Sequence, residues 1–311
     1  MYTKIFADIT IKDISIAGGK GASLGEMSNA GINIPPGFVI TANSFNKFLD
    51  GTSLDVRIED ILKKVKSDDA DSIGNSSKNI RDLIKCAEFP KDIANEIFKE
   101  FRNIKTAFVA VRSSATAEDS SAASWAGELE SYLNIEKDGL LGAIKKCWSS
   151  LFTPRAIIYR TDKGMLKQSV SVAVVVQEMV QSEISGITFT VHPVTKNTDQ
   201  MIIEAGYGLG EAIVGGMITP DTYIVDKKTN AILEKNISEQ SMMIVGNSKG
   251  TKEQMVSENE QNKQKLNDQK ILELAEICKN IEKHYKKPQD IEWALKNEIF
   301  YITQSRPITT L

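Results

Sequence analysis

The sequence is poor in the residues that build metal and disulfide sites, with three cysteines and two histidines among 311 residues. Cys86, Cys147 and Cys278 lie far apart and form no C-x-x-C pair. This spacing argues against a disulfide framework and is typical of a reducing compartment. His192 and His284 have no second ligand at zinc-binding spacing, so the sequence offers no zinc site.

Long apolar runs and a strong charge imbalance are also missing. The first residues, MYTKIFADITIKDI, lack the apolar core of a signal peptide, and no run approaches membrane-spanning length. A net charge of −3 gives no electrostatic basis for nucleic acid or an anionic membrane as a partner. We therefore expect a soluble cytoplasmic protein, with no nucleic-acid and no membrane partner.

Strand and helix patterns are mixed along the chain without strict alternation, which predicts an α+β (mixed α/β) fold. The 311 residues suffice for a large core or for two lobes that meet at a cleft. Apolar residues at helical spacing predict a small helical insert at about 44–105 with a solvated outer face. The polar residues 238–263 predict a mobile segment. Further elements are predicted as a strand at 131–135, an apolar strand at 170–180, a helix at 266–285 and a C-terminal hairpin at 290–310.

Two glycine-rich stretches are candidates for phosphate binding. GGKGAS (18–23) lacks the Walker A spacing, and GYGLGE (206–211) lacks the G-x-G-x-x-G spacing of dinucleotide sites. Their glycines would still let backbone N–H groups approach an anion, and Lys20 would lie beside a helix N-terminus. Tight turns with one exposed lysine explain the same residues equally well.

Two apolar strands end in polar residues. The stretch VAVRSSATAED (109–119) runs from a buried strand into Arg112, and a buried cation needs an anionic partner in the protein or in a ligand. The strand at 170–180 runs through VAVVV into Gln177 and Glu178. It is either a central core strand or a hinge whose freed backbone groups pair with an adenine edge, and periodicity does not separate the two.

The C-terminal hairpin places polar residues on one face of each strand. The predicted face of the first strand carries Asp290, Glu292 and Ala294, and that of the second carries Ile302, Gln304 and Arg306. Glu292 lies beside Gln304 and Arg306 only if the turn near Lys296–Glu298 has an odd number of residues or the hairpin contains a bulge. The carboxylate and amide oxygens then suit Mg²⁺ and the guanidinium suits a phosphate. The alternative is a Glu–Arg cross-strand ion pair.

Eight segments, in family order, resemble the N-terminal ATP-binding domain shared by phosphoenolpyruvate synthase, pyruvate phosphate dikinase and rifampin phosphotransferase. They are GGKGASLGEM (18–27), IPPGFVIT (34–41), VRSSATAEDSSAASWAGELESYLNI (111–135), QEMV (177–180), SGITFT (185–190), GYGLGEAIVGG (206–216), DIEWA (290–294) and QSRPIT (304–309). That family folds this domain as an ATP-grasp, with ATP held between two lobes. The resemblance implies an N-terminal lobe at 1–180, which includes the insert at 44–105, and a C-terminal lobe at 181–311.

The resemblance also implies roles for residues of the N-terminal lobe. Lys20 and Arg112 would bind the polyphosphate and act in catalysis. Gln177, together with Glu178 and the backbone there, would hold adenine.

The remaining implied roles concern a covering loop and the C-terminal hairpin. Gly127 and Ser131 would lie in the loop that covers the polyphosphate; some relatives have threonine at the position of Ser131. Glu292 and Gln304 would bind Mg²⁺, and Arg306 would reach the transferring phosphate as the third catalytic residue. ATP and Mg²⁺ are thus the implied cofactors.

The implied activity is that of an ATP-dependent dikinase-type phosphotransferase half-enzyme. In the relatives the acceptor is a histidine on a swivelling domain further along the chain. The 311 residues contain neither that phosphohistidine domain nor an acceptor-binding domain, so we expect a separate phosphohistidine domain or chain as partner. IEKHYKKPQDIEWAL and GEMSNAGINIPPGFVIT favour the phosphoenolpyruvate synthase (pyruvate, water dikinase) type. The alternatives are a rifampin phosphotransferase and a nucleotide-binding regulatory module without turnover.

Overall fold

The computed structural model of the chain describes residues 1–66, 68–116, 119–120, 123–124, 130–162, 171–248 and 250–309. The chain divides into two compact units. Unit 1 comprises Met1–Asn29 and Pro36–Met179, and unit 2 comprises Ala30–Pro35 and Val180–Leu311. Both units combine helices with antiparallel sheets, which confirms the mixed α/β class.

Unit 1 is built on an antiparallel sheet. Its strands are β1 (Thr3–Ile5), β2 (Gly37–Ile40), β3 (Val109–Ala115), β4 (Asp119–Ser120), β5 (Ala123–Ser124), β6 (Ser131–Ile135) and β7 (Val172–Glu178). Its helices are α1 (Ile14–Asn29), α2 (Ala42–Thr52), α3 (Leu54–Leu62), α4 (Ala70–Cys86), α5 (Lys91–Ile104), α6 (Leu140–Ser149) and α7 (Pro154–Asp162). The five-stranded sheet has the order β1-β2-β7-β3-β6, and β4 pairs with β5.

The main core of unit 1 lies on one face of this sheet. Val109 and Val111 of β3 point into it, beside alternate valines of β7. Helices α2 to α5, which occupy the predicted insert, contribute their apolar faces to the same core. Trp148 of α6 packs against Phe48 of α2, with ring centroids 4.9 Å apart. The helical region is therefore part of the packing of unit 1, and only its outer face is solvated.

Unit 2 is built on a second antiparallel sheet. Its strands are β8 (Ile184–Phe189), β9 (Gln200–Tyr207), β10 (Asp221–Asp226), β11 (Ala231–Asn236), β12 (Met242–Asn247), β13 (Gly250–Met255), β14 (Gln289–Lys296) and β15 (Ile299–Pro307), and its helices are α8 (Glu211–Val214) and α9 (Asp268–Tyr285). The sheet has the order β11-β10-β9-β8-β14-β15, and β12 pairs with β13. Helix α9 packs on this sheet, and its buried face carries Ile271, Leu274, Ala275, Cys278 and Ile281.

The short segment Ala30–Pro35 belongs to unit 2, whereas the sequence-based boundary between residues 180 and 181 assigned it to the first lobe. Asn33 explains the difference. Its carbonyl accepts a hydrogen bond from the Ile302 N–H at 2.9 Å, and its side-chain amide donates to the Phe300 carbonyl at 2.7 Å. Asn33 thereby pairs with the edge strand β15, a contact that local sequence patterns do not encode.

Residues 238–263 were predicted to be mobile, but they include the hairpin formed by β12 and β13. Hydrogen bonds of buried polar groups hold this region. The Gln240 amide, 1% exposed, bonds to both the N–H and the carbonyl of Tyr207 at 2.9 and 3.1 Å. The polar composition therefore reflects these bonds and the exposed side chains of β13. No helix in the described part of the chain is long and apolar enough to cross a membrane.

Candidate functional site

Three of the predicted site residues share one face of the sheet in unit 1. Arg112 pairs with Ser131 on one side, and two residues earlier on β3 Ala110 pairs with Gln177 on the other. Paired residues, and residues two apart on a strand, point to the same face. Arg112 is half-buried, Ser131 is exposed and Gln177 is 2% exposed. The face is opposite to the one that carries the main core.

Helix α1 packs against this same face and brings Lys20 to it. Val39, whose partner Val175 lies on the Arg112 face, would be only 2.9 Å from a Cβ at Gly21. The helix is kinked at Gly18, where φ is +68°, a conformation that glycine adopts without steric cost. Lys20, half-buried, lies in the first turn after that kink. The glycines of GGKGAS therefore serve close packing of α1 on the sheet.

The stretch after Gln177 differs from the expectation for an adenine-binding hinge. The N–H groups of Glu178 and Met179 donate to the carbonyls of Pro36 and Phe108, at 2.8 and 3.0 Å. These two N–H groups are used inside unit 1, so other backbone groups near Gln177 would have to pair with an adenine edge. Glu178 also points away from Gln177, because it pairs with Val109 on the core face.

Gly127 lies outside the described residues. Glu130, the residue before Ser131, is fixed by hydrogen bonds to its side chain and to its carbonyl. Arg81 of α4 donates to the Glu130 carboxylate at 2.7 Å, and the Ser113 N–H donates to the Glu130 carbonyl at 3.2 Å. The Tyr132 hydroxyl donates to the same carboxylate, and burial together with this bond raises the tyrosine pKa. Sequence reasoning missed Arg81 and Glu130, although Glu130 stands inside the segment GELES.

In unit 2 the C-terminal hairpin places Glu292 directly opposite Gln304. The turn has two residues, Asn297 and Glu298, both with positive φ. The register shifts after Glu292, because β15 contains one extra residue at Thr303. Of the two alternatives that strand alternation left open, an odd turn or a bulge, the hairpin has the bulge.

The same bulge corrects the predicted face of β15. Ile302 pairs with Trp293 and therefore lies on the opposite face from Gln304. The two positions differ by two residues, but the extra residue at the bulge reverses the alternation.

Arg306 forms an ion pair, but its partner is Asp290 rather than Glu292. Its Nε and Nη2 donate to the same Asp290 oxygen at 2.8 and 2.7 Å. Burial raises the pKa of Asp290, the charge of Glu292 adds to this, and Arg306 opposes it. The cross-strand register pairs Asp290 with Arg306 and leaves Glu292 opposite the Gln304 amide.

A further acid on this face, Glu204, was missed by the sequence analysis. It pairs with Ile187, which in turn pairs with Glu292, so the three side chains form one row across β9, β8 and β14. Burial and the charge of Asp290 raise the pKa of Glu204. The sequence MIIEAGYG does indicate this residue, because Glu204 is the one acid within an otherwise apolar strand pattern.

The donor set of the hairpin suits a hard divalent cation. Glu292 is half-buried and Gln304 is 7% exposed, and their side chains oppose each other. A carboxylate and an amide oxygen are the ligands that Mg²⁺ accepts. Within the described ranges no three or more His, Cys, Asp or Glu side chains gather as a metal site, so the magnesium prediction depends on this pair.

The loop GYGLGE does not form the predicted phosphate cradle at its centre. The N–H groups of Gly208 and Leu209 donate to the carbonyls of Glu183 and Ile244, at 2.9 and 2.8 Å. The Gly208 carbonyl accepts the Ser185 hydroxyl at 2.7 Å. Gly208 has a φ of +83°, and a Cβ there would be 2.4 Å from the Ile244 carbonyl oxygen. For this stretch the tight-turn interpretation is the one that the structure supports.

Comparison with known proteins places these features in one family. The family model described as "Pyruvate phosphate dikinase, AMP/ATP-binding domain" matches residues 14–311. A probable phosphoenolpyruvate synthase from Methanocaldococcus jannaschii is 47% identical over 98% of this chain and 26% of its own length. One from Methanothermobacter thermautotrophicus is 42% identical over 100% of this chain and 46% of its own length.

A rifampicin phosphotransferase from Bacillus subtilis is 42% identical over 98% of this chain and 35% of its own length. The chain thus spans less than half the length of each of these relatives. The match to the family model covers both units, the Lys20–Arg112 face and the C-terminal hairpin. The chain therefore belongs to the AMP/ATP-binding domain family of pyruvate phosphate dikinase.

Proposed function

We propose that the chain binds Mg–ATP and transfers a phosphoryl group from it to a histidine on another domain or chain, as the half-enzyme of a phosphoenolpyruvate synthase. The observation that carries this proposal is the gathering of Lys20, Arg112 and Gln177 on one side of a single sheet. Two cations and an amide so placed suit a polyphosphate with an attached base. The family match supports ATP as the nucleotide.

Phosphoryl transfer requires mainly positioning and neutralisation of charge from the protein. Lys20 and Arg112 would neutralise the polyphosphate, and the exposed Ser131 hydroxyl would donate to it. Gln177 would orient the base together with nearby backbone groups. The Glu178 and Met179 N–H groups are not among them, because they bond to carbonyls within unit 1. No activated side-chain nucleophile is needed in this domain, because the acceptor nitrogen belongs to the partner.

In unit 2, Glu292 and Gln304 would hold Mg²⁺ through their side-chain oxygens. Bound Mg²⁺ would supply positive charge to the phosphate oxygens. Arg306 would interact with the transferring phosphate. Two of its N–H groups bond to Asp290, so this carboxylate fixes the orientation in which the guanidinium is presented.

One relative supports the synthase type over the antibiotic-modifying enzyme: identity is 47% to the probable phosphoenolpyruvate synthase of M. jannaschii and 42% to the rifampicin phosphotransferase of B. subtilis. The synthase of M. thermautotrophicus, at 42%, is as similar as the rifampicin phosphotransferase. A phosphohistidine domain or chain is then the expected partner, and a cytoplasmic location is expected for this metabolic role.

The experiment is to incubate the chain with Mg–ATP, with and without a histidine domain taken from a relative. Nucleotide products are identified by chromatography, and acid-labile phosphate is measured on the histidine domain. AMP together with a labelled histidine domain supports the proposal. Arg306→Ala should abolish labelling, whereas the exposed Arg57→Ala, a matched loss of one guanidinium, should not.

Two other results contradict transfer to histidine. ADP formed without any partner indicates a direct kinase with a different acceptor. ATP binding with no turnover in either mixture indicates a regulatory nucleotide-binding module.

A further inference from the structure

Ser114 joins β3 to α1, the two elements that carry the cations of the proposed phosphate site. It is fully buried, and it lies two residues after Arg112 on the same face of β3. Its hydroxyl donates to the Ala17 carbonyl at 2.9 Å and accepts from the Gly21 N–H at 3.2 Å. One side chain of the sheet therefore bonds to α1 on both sides of Lys20.

The position of this hydroxyl is unusual within the helix. Gly18 has a non-helical conformation, so a new helical segment begins after it, and the Gly21 N–H belongs to the first turn of that segment, whose N–H groups lack an intrahelical carbonyl. The Ser114 hydroxyl accepts from this N–H and so acts as a cap supplied by the neighbouring strand. Its bond to the Ala17 carbonyl holds the residue on the other side of the kink.

Gly18 is matched to this arrangement. Its φ is +68°, and a Cβ on it would lie 2.2 Å from the Ser114 Oγ and 2.3 Å from the Ser114 carbonyl oxygen. No side chain fits there without moving α1 away from β3. The contact between Gly18 and Ser114 therefore sets the distance between the first turn of the helix, which carries Lys20, and the strand that carries Arg112.

We infer that Ser114 is a positioning residue that bonds to Ala17 and Gly21, on the two sides of the Gly18 kink, and so fixes Lys20 relative to Arg112. This inference rests on the proposed role of the two cations in binding the ATP polyphosphate. Without the hydroxyl, the Ala17 carbonyl and the Gly21 N–H both lose a buried hydrogen-bond partner. The first turn after the kink is then no longer bonded to β3 through this side chain, and Lys20 moves from its place beside the polyphosphate.

The test is a double-mutant cycle on ligand affinity. The dissociation constants of Mg–ATP and of adenosine are measured by calorimetry for the wild-type chain, Ser114→Ala, Lys20→Ala and the double variant. Ser114→Ala should weaken Mg–ATP about tenfold and adenosine less than about twofold. In the Lys20→Ala background the same change should weaken Mg–ATP by less than about twofold, because residues that act together are non-additive.

Ser77→Ala is the matched control. Ser77 is 2% exposed and donates to the distant Phe152 carbonyl at 2.6 Å, so its loss also removes a buried serine–carbonyl bond in unit 1. It should lower the melting temperature without changing either affinity by more than about twofold. If Ser114→Ala does not fold, Ser114→Cys replaces it and should give an intermediate weakening of Mg–ATP.

The failures are distinguishable. If Lys20→Ala weakens Mg–ATP and Ser114→Ala does not, or if the two effects add fully, the positioning role is overturned while the proposed function stands. Equal loss of Mg–ATP and adenosine affinity in Ser114→Ala also overturns it. If Lys20→Ala leaves Mg–ATP affinity unchanged, the assignment of Lys20 to the polyphosphate fails, and the positioning role fails with it.

Discussion

Asp221→Ala should destabilise unit 2 more than any exposed charge substitution. Asp221 and Lys265 are both fully buried at the side chain and their charged atoms are 2.9 Å apart. The carboxylate also accepts the Tyr223 hydroxyl at 2.8 Å and the backbone N–H groups of Lys265 and Ser238 at 2.8 and 3.0 Å. Removing it leaves the Lys265 ammonium buried without a counter-charge.

The expected magnitude follows from that unpaired charge. Breaking a buried ion pair by removing one partner costs about 3–5 kcal/mol. Lys265→Met should cost less, about 1–3 kcal/mol, because the Tyr223 hydroxyl and two backbone N–H groups still solvate the carboxylate. The double variant Asp221→Asn/Lys265→Met should be more stable than Asp221→Ala, because it buries no net charge.

Calorimetric unfolding measures these differences. In a unit of roughly 140 residues each kcal/mol shifts the melting temperature by about 2–4 °C, so Asp221→Ala should lower that of unit 2 by about 6–20 °C. The surface pair of Asp199 and Lys228, 2.6 Å apart with side chains 46% and 71% exposed, supplies the control. Asp199→Ala should cost less than about 1 kcal/mol. An Asp221→Ala effect as small as that of Asp199→Ala would refute the reasoning.

Two further predictions concern the metal pair and the thiols. Glu292→Ala should remove the tightening of ATP binding by Mg²⁺ while the melting temperature changes little, whereas the control Glu298→Ala, in the turn of the same hairpin, should retain that tightening. Titration calorimetry with and without Mg²⁺ measures both variants. Unchanged metal dependence in Glu292→Ala contradicts the metal assignment. Burial raises the pKa of Cys147 and of Cys278 to about 12, so at pH 8 their thiols stay protonated. Only the exposed Cys86 should then react rapidly with a disulfide reagent. Rapid reaction of all three thiols in the native protein would contradict this prediction.

Much of the fold was accessible from local pattern. The strand at 131–135 was predicted with the observed bounds of β6, and the helix at 266–285 was predicted two residues longer than α9 at its start. The need for an odd turn or a bulge at the C-terminal hairpin followed from strand alternation alone. In these cases one face of the element is buried, so apolar residues recur at the spacing of that face, and this spacing can be read from the sequence.

The features that sequence reasoning missed depend on partners distant in the chain. Whether Arg306 pairs with Asp290 or with Glu292 depends on the position of the bulge, and the amino-acid sequence is compatible with either position. The bonds of Ser114 to α1 span more than 90 residues, and no local pattern records them. The hairpin within the polar segment 238–263 was not predicted, because Gln240 is bonded to Tyr207, which lies 33 residues earlier.

The measurement that tests the nucleotide site most directly is the affinity of the chain for Mg–ATP and for adenosine, compared between the wild type and Arg112→Ala. Binding of the polyphosphate by Arg112 predicts that the variant weakens Mg–ATP at least about tenfold and adenosine less than about twofold, since charge-assisted bonds to phosphate contribute about 1.5–3 kcal/mol. Equal loss of both affinities, with a lower melting temperature, would show that Arg112 holds the fold and not the phosphates.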